Sequence, residues 1–381
     1  MLEAPGDLEE NALADALLSG WGIGAASLAY LAVGWGSHHW DVADDAGRRW
    51  FVTVDELENK RVSDTESLTD GLRRLRASLR TAVALQRAGL DFVVAPVLSG
   101  RPAGAPGGEP PEAGREPALR FGARFAVSVY PFTEGQSFGW DGWTPALRSG
   151  VLNMVTAVHQ APRAACREAA AEDFSVPFLG QVEAVVGGRR PAVAGPFTQP
   201  VAGLLREHAA AVRRRLERYR DFVTAALRQP GPYVLTHGEP HPGNAMLTSA
   251  GWRLIDWDTA LVAPPERDLW DLDPGDGSVL DAYATATGVT PRPGLIELYR
   301  LKWDIQDLAY DTARFLRPHS GSAEDAEAWK LLSSLVAGAD GLAVQTGRIG
   351  ARRLINFLRC PRQPSAANSI FVPNMRVMKF V

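Results

Sequence analysis

Sulfur chemistry is nearly absent from this sequence. Its 381 residues include two cysteines, Cys166 and Cys360, far apart and in no pattern. That excludes a disulfide scaffold and a cysteine-built metal site, and it fits a reducing cytoplasm. No apolar run is long enough to cross a bilayer. The first residues, Met1-Leu2-Glu3-Ala4-Pro5-Gly6-Asp7, lack the charged-then-apolar form of a signal peptide. A soluble, cytoplasmic protein with no membrane partner is expected. Acidic residues run out after Asp340, whereas Arg348, Arg352, Arg353, Arg359, Arg362, Arg376 and Lys379 follow. Removing these seven positives from the overall −4 leaves −11 on residues 1–347. An acidic body repels nucleic acid and suits a cationic substrate. The basic stretch 348–381 reads as a poorly ordered tail, because Pro361, Pro364 and Pro373 interrupt any helix after Leu358.

What the chain does hold is one dense motif. His237-Gly238-Glu239-Pro240-His241-Pro242-Gly243-Asn244 is followed by Ile255-Asp256-Trp257-Asp258. An acid, then Asn five positions later, then an Asp-x-Asp pair is the order of the catalytic loop and metal-binding strand of kinases. Such a loop presents one carboxylate, Glu239, to a substrate hydroxyl and one amide, Asn244, to a metal ion. Asp256 would hold the Mg²⁺ that bridges nucleotide phosphates, with Asp258 supporting the metal or its water. Apolar residues bracket both pieces, so the ligands are expected at the ends of short buried strands near 233–235, 246–247 and 252–255. His237 reads as a structural anchor between the loop and the Asp256 strand; His241 is either the same or a cleft residue. The His-x-Glu opening is shared with zinc deaminases, but their Pro-Cys-x-x-Cys pair is absent. His237, Glu239 and His241 lie in a Gly/Pro-rich loop with no fixed face, so no zinc site is expected.

These residues resemble the aminoglycoside phosphotransferase family, whose loop usually reads His-Gly-Asp-x-x-x-x-Asn. Leu254-Ile255-Asp256-Trp257-Asp258, then Ala263-Pro264-Pro265-Glu266-Arg267-Asp268-Leu269, is most similar to the spectinomycin phosphotransferase branch. Weaker similarity runs from about Leu28 to Leu316. The resemblance implies an α+β, two-lobed, protein-kinase-like fold. A β-rich N-lobe would span residues 1–131 and a mainly α-helical C-lobe residues 132–347, with the ligand cleft between them. It implies transfer of the γ-phosphate of ATP or GTP, with Mg²⁺, to a hydroxyl of a small cationic molecule such as an aminoglycoside or aminocyclitol. A monomer or weak dimer is expected. The resemblance also assigns Asp268 to bracing the catalytic loop, where the residues alone suggest a helix-start ion pair in Glu266-Arg267-Asp268.

Periodicity gives the remaining organisation. Residues 8–19 suggest a short helix, then 26–33, 37–43 and 50–54 read as strands joined by tight turns. Residues 72–88 form an amphipathic helix. Residues 92–98 and 121–130 read as further strands, and 99–117, dense in Gly and Pro, as a flexible surface loop. Pro131 cannot continue a central strand, so Tyr130-Pro131-Phe132 suits a hinge, with Tyr130 and Phe132 beside the nucleotide. Helices are expected over 145–159, 201–228, 280–287 and 295–316. Gly34, Gly36 and Ser37 stand where the family covers the phosphates with a glycine hairpin, where small residues let backbone amides approach. An ordinary glycine turn is the alternative.

Three departures from the family pattern matter. The third strand normally carries a lysine that contacts the α- and β-phosphates; Thr53 stands there. The next helix, which should offer that lysine a glutamate, carries Arg73, Arg74, Arg76 and Arg80, with Glu66 just upstream. Without the lysine a buried glutamate would be an unpaired charge, so the two losses go together. Lys60 or Arg61 could reach the phosphates instead, although a solvated pair in Glu58-Asn59-Lys60-Arg61 is the commoner outcome. Thirdly, Glu239 replaces aspartate. The charge is kept, but one methylene moves the carboxylate, and positioning supplies much of phosphoryl-transfer catalysis. Glu239 is therefore either a working base with an altered acceptor pose or the mark of an impaired, kinase-like binding protein. Retention of Asn244 and Asp256 favours activity. A metabolite kinase of the choline or methylthioribose type has the same signature.

For the acceptor, Asp304, Asp307 and Asp311 fall at i, i+3 and i+7 on one helix stripe. Such carboxylates would bind substrate ammonium groups; an exposed acidic face is the alternative. Trp140, Trp143, Trp257, Trp270 and Trp303 offer stacking surfaces for a sugar or cyclitol ring, with burial in the core as the default for each.

Overall fold

Strict alternation of buried and half-buried residues marks the second strand of the N-terminal sheet in this computed structural model, which describes residues 1–338 apart from Leu2, Trp35, 101–113 and Asp141. After helix α1 (Glu10–Trp21), strands β1 (Ala25–Leu31), β2 (Ser37–Asp44) and β3 (Arg49–Glu56) form an antiparallel meander. Helix α2 (Leu68–Arg87) intervenes before β4 (Leu119–Phe121) and β5 (Phe125–Pro131), and the sheet order is β1-β2-β3-β5-β4. Leu13, Leu17 and Trp21 of α1 pack on Trp40, Val42, Val52 and Val54. Each such side chain contributes about 1.5–3 kcal/mol when fully buried. Leu72, Leu75 and Leu79 of α2 pack with Leu57 and Ala126. Residues of the other parity on β2 and β3, namely Ser37, His39, Phe51, Thr53 and Asp55, face the cleft.

The C-terminal part is mainly helical. It comprises β6 (Gln136–Ser137), α3 (Pro145–His159), α4 (Leu179–Val186), α5 (Thr198–Glu207) and α6 (Ala209–Arg228), then the strands β7 (Val234–Thr236), β8 (Ala245–Thr248), β9 (Gly251–Leu254) and β10 (Leu261–Ala263). Helices α7 (Glu266–Leu269), α8 (Ser278–Thr287), α9 (Pro293–Leu316) and α10 (Ala323–Ala337) complete it. The β-sheet N-terminal region and helical C-terminal region make the expected α+β, kinase-like arrangement. Thr144 caps α3 and Pro145 occupies its first turn, which fixes that start.

Several boundaries differ from expectation. The helix expected over 201–228 is broken at His208, whose ψ of 19° opens the turn. The strand expected over 121–130 is two strands joined by a turn at Gly122 (φ +56°). Residues 92–98 are not a strand. Val94 donates to the Leu254 carbonyl (3.1 Å) and Val97 to that of Val129 (2.7 Å), so the segment changes partner midway and builds no ladder. Helix α2 begins at Leu68, earlier than expected, because Ser67 and Asp70 cap its N-terminus reciprocally. The loop expected over 99–117 lies mostly outside the described residues, but its ends are pinned: Ser99 donates to the Glu116 carbonyl (2.7 Å), and Glu116 returns a bond to the Ser99 hydroxyl (2.9 Å). The tail at 348–381 also lies outside the described residues. Among the described residues no helix is long and apolar enough to cross a membrane.

Candidate active site

Two short antiparallel pairs, β7 with β10 and β8 with β9, hold the motif. The loop leaves β7 at His237, whose backbone amide donates to Asp268 (2.8 Å), as does that of Gly238 (2.6 Å). The Asp268 carboxylate is fully buried and also meets His159 (3.1 Å). Burial opposes its charge, but the His159 bond together with the electrostatic pull of the nearby His159, Arg267 and His237 outweighs this and holds the carboxyl below its usual range. The His237 ring bonds the Ile255 carbonyl through Nε2 (2.8 Å) and accepts the Glu239 amide at Nδ1 (3.2 Å). These partners define the Nε2–H tautomer, and burial lowers the ring's pKa so that it stays neutral. Gly238 has φ +104°, and a Cβ there would collide with the Arg267 guanidinium. Arg267 in turn donates to the Thr236 hydroxyl (2.8 Å) and the Thr259 carbonyl (2.8 Å), tying the end of β7 to the turn before β10. The sequence shows Arg267 only as part of a helix-start charge cluster; its loop-clamping position emerges in three dimensions.

The carboxylates gather beyond this frame. Glu239, Asn244, Asp256 and Asp258 line one cleft of about 1450 Å³. Asn244 donates its amide nitrogen to the Glu239 carbonyl (3.0 Å), leaving its oxygen as the acceptor end. Burial, then the Asp258 and Asp307 charges, raise Glu239 to about 7, into the range of a general base. Asp256 sits at φ +66°, left-handed backbone that aspartate tolerates better than most residues. Its recessed place in the cleft, with Asp258 and Glu239 beside it, pushes its carboxyl well up. A divalent cation would relieve that repulsion, and the donors are hard oxygens, so the set fits Mg²⁺. Among the described residues no three His, Cys, Asp or Glu side chains converge on a metal-sized site. Mg²⁺ held by one or two carboxylates plus phosphates does not need three.

The opposite wall comes from the N-terminal sheet. Gly34 (φ +68°) and Gly36 (φ +90°) turn the chain between β1 and β2 at the cleft's edge. The Ser37 hydroxyl donates to Asp55 (2.6 Å). Thr53 lines the cleft beside His39 (3.3 Å), whose ring stacks on Phe51. Burial lowers His39 to about 3, so it is neutral. Lys60 is not the solvated residue that its local sequence favours. Its ammonium reaches Asp55 (3.0 Å) and Asp258 (2.5 Å), bridging the two halves of the molecule. Burial opposes the charge, but Asp258 and Asp55 outweigh it and hold the ammonium well above its usual value. The missed residue here is Asp55. Strand parity could have found it, since it lies two positions beyond Thr53 on the same face. Tyr130 lines the cleft, whereas Phe132 does not: the Arg49 guanidinium lies 3.5 Å from its ring centre.

Helix α9 forms the far wall. Asp307 and Asp311 line the cleft together with Trp303 and Tyr310. Asp304 does not: its charge is set against Arg215 of α6, and burial raises it to about 6. Trp140 lies between His241 (ring centres 3.4 Å) and Trp303 (5.6 Å), giving the cleft an aromatic floor. Of the other tryptophans, Trp257 and Trp270 are buried and Trp143 lies away from the cleft.

Known proteins share this architecture. The sequence model of the phosphotransferase enzyme family (APH) matches residues 27–316. Protein StrN of Streptomyces griseus is 31% identical over 224 residues, a stretch covering 55% of this chain and 65% of that protein, under two thirds of its length. The crystal structure of spectinomycin phosphotransferase, APH(9)-Ia, in complex with ADP and spectinomycin superposes with a TM-score of 0.62 at 15% identity, covering 88% of this chain and 98% of that one. A microcompartment-associated aminopropanol kinase gives 0.54 at 14% identity over 92% and 98%. The GDP and kanamycin complex of APH(2")-IIia gives 0.52 at 15% identity over 86% and 97%. With the matched family model spanning the sheet, the loop at 237–244 and helix α9, this chain belongs to the phosphotransferase enzyme family.

Proposed function

We propose that the protein moves the γ-phosphate of ATP or GTP to a hydroxyl of a small cationic molecule, an aminoglycoside or aminocyclitol, in antibiotic modification or biosynthesis. The observation that carries this reading is the convergence of Glu239, Asn244 and Asp256 on one cleft, with carboxylates on its far wall. Its volume of about 1450 Å³ exceeds the ~300–1,000 Å³ of a single-ligand pocket, leaving room for a nucleotide and an acceptor together. The ADP–spectinomycin and GDP–kanamycin pairs bound by proteins of the same fold support it.

In this mechanism Glu239 takes the proton of the acceptor hydroxyl. The acceptor oxygen bonds to the γ-phosphorus as the bond to the bridging oxygen breaks, its electron pair leaving with the nucleoside diphosphate. Mg²⁺, held by Asn244 and Asp256 with Asp258 in support, would supply neutralisation of the phosphate charge. Gly34, Gly36, Lys60 and Tyr130 face the nucleotide, with the lobe boundary after Pro131. Asp307 and Asp311 attract the acceptor's ammonium groups, and Trp140 and Trp303 give its ring a surface.

The aminopropanol kinase likeness favours a second reading, a simple amino alcohol as acceptor. Thermal stabilisation by millimolar ATP or GTP with Mg²⁺ is the first test; no shift with either nucleotide sinks the phosphotransfer reading. Phosphate transfer is then screened across aminoglycosides, spectinomycin and amino alcohols. Turnover of amino alcohols alone would select the second reading.

A further inference from the structure

Asp55, Glu239, Asp256, Asp258 and Asp307 all line the same cleft, and a polyphosphate cannot approach five carboxylates without intervening cations. Lys60 holds a central place among them, with its ammonium on both Asp55 and Asp258. The arginines at the cleft are engaged elsewhere: Arg61 with the Asp64 and Glu66 carbonyls, Arg124 with Asp7 and Glu56, Arg314 with Asp325, and Arg317 with Asp64. The position of Lys60 is also built from several sides. Arg74 of α2 donates to the Lys60 carbonyl (2.5 Å) and pairs with Glu66. Gly71 of α2 lets the short turn at Leu57–Lys60 come close: a Cβ there would lie 3.2 Å from the Leu57 carbonyl oxygen and 3.4 Å from that of Lys60. On the other side, Ser37 fixes the Asp55 carboxylate through its hydroxyl.

We propose that Lys60 is the phosphate-binding cation of this chain and that Asp55 on β3 is its positioning residue. The inference rests on the phosphotransfer reading above. Asp256 and Asp258 would hold Mg²⁺ when it is bound, and Asp258 would then be less available to the Lys60 ammonium, since two cations do not share one carboxylate cheaply. Asp55 belongs to the N-terminal sheet and keeps its hold. The lysine then keeps its ammonium in the cleft that Asp256 and Glu239 also line, where a triphosphate must lie if its terminal phosphorus is to meet Glu239's acceptor. A strand carboxylate and a lysine just past the strand thus replace a strand lysine and a helix glutamate. The helix contributes an arginine that grips the lysine's backbone. A plain inter-lobe ion pair differs in its consequence: its removal would lower stability without a selective loss of nucleotide affinity.

The test is calorimetric titration of the full chain with Mg·ATP and Mg·GTP, alongside melting temperatures without nucleotide. The variants are Lys60→Met, Lys60→Arg, Asp55→Asn, and Thr53→Lys on the Lys60→Met background. Lys60→Met is expected to weaken nucleotide binding about 10- to 100-fold, the range for losing a hydrogen bond to a charged group. Lys60→Arg should retain most of the affinity, and Asp55→Asn should lose about 3- to 10-fold by releasing the lysine. Thr53→Lys should restore part of the affinity lost in Lys60→Met, because it returns an ammonium to the cleft from the neighbouring strand position. If Lys60→Met does not fold, Asp55→Asn, which keeps side-chain volume, carries the test. Binding within about twofold of wild type in Lys60→Met and Asp55→Asn overturns the proposal while leaving phosphotransfer standing. Lowered melting temperatures with unchanged nucleotide affinity do the same. Wild-type protein that binds neither nucleotide overturns the phosphotransfer reading, and this inference with it.

Discussion

On the C-terminal wall of the cleft, Glu239, Asn244 and Asp256 keep the family's spacing, whereas on the N-terminal wall Thr53 stands where the family pattern has a lysine, and the ammonium proposed to take over is that of Lys60. The difference follows from what each wall must do. Proton removal and metal binding need atoms within hydrogen-bond or ligand distance of a reacting centre, and a small displacement costs rate steeply. The loop is accordingly pinned by Asp268, His237 and Arg267 together. Binding a phosphate chain asks for positive charge in a volume, which a flexible lysine can deliver from more than one point of attachment.

If that contrast is right, the C-terminal wall should be the less forgiving. The largest effect is expected for Asp256→Asn, which removes one ligand charge and no volume. Phosphoryl transfer should fall by at least about 10³-fold with the circular dichroism spectrum unchanged. Near-normal turnover in that variant would end the metal assignment. Glu239→Gln comes next, with kcat down about 10²- to 10⁴-fold. Equal rates in wild type and this variant would remove Glu239 as base.

The same carboxyl makes a pH prediction of definite sign. Its pKa is raised in the fold to about 7, so the stability it contributes is present below its ordinary value and lost as pH rises through about 7. Glu239→Gln should therefore melt about 2–4 °C above wild type at pH 8 and show no such gain near pH 4. Wild-type kcat/KM for the nucleotide should decline as pH falls below 7. Glu239→Asp should cost about tenfold in rate, since the shorter carboxylate falls short of the hydroxyl. A severalfold increase instead would describe the natural protein as an impaired kinase. The smallest effects are expected on the acceptor wall. Asp307→Asn should raise the acceptor KM about five- to tenfold, a lost charged contact partly exposed to solvent, while Asp304→Asn stays within about twofold. Matching effects at both positions would restore the full three-residue stripe as the acceptor site.

Legibility in the sequence followed the range of the interaction. Glu239, Asn244 and Asp256 were readable because their spacing is local and bracketed by apolar strands. The short helix α3 was readable to the residue, since Thr144, Pro145 and the closing His159 mark both ends. Lys60 is a candidate from the sequence, but its inward direction is not legible there, because it depends on Gly71 and Arg74, residues of the next helix, and on Asp258, far along the chain. Asp304 satisfies the helical period yet misses the cleft, because periodicity gives a stripe of α9 and not its bearing: Trp303, one residue earlier, lines the cleft while Asp304 lies toward Arg215 of α6. Residues 92–98 have strand composition, but their hydrogen bonds are divided between Leu254 and Val129. No pattern within seven residues announces two partners.

The left-handed backbone at Asp256 has a consequence for how copies of this protein can decay. Few side chains accept a φ of +66°, and those that do best are glycine, asparagine and aspartate. A lineage released from selection for chemistry would still be filtered for folding at this position. It should drift toward Asn or Gly there long before it samples Ala, Val or Glu, while Asn244, free of that backbone demand, should diversify. Catalytically silent descendants would then be recognisable by a conservative-looking residue at 256 rather than by a ruined one.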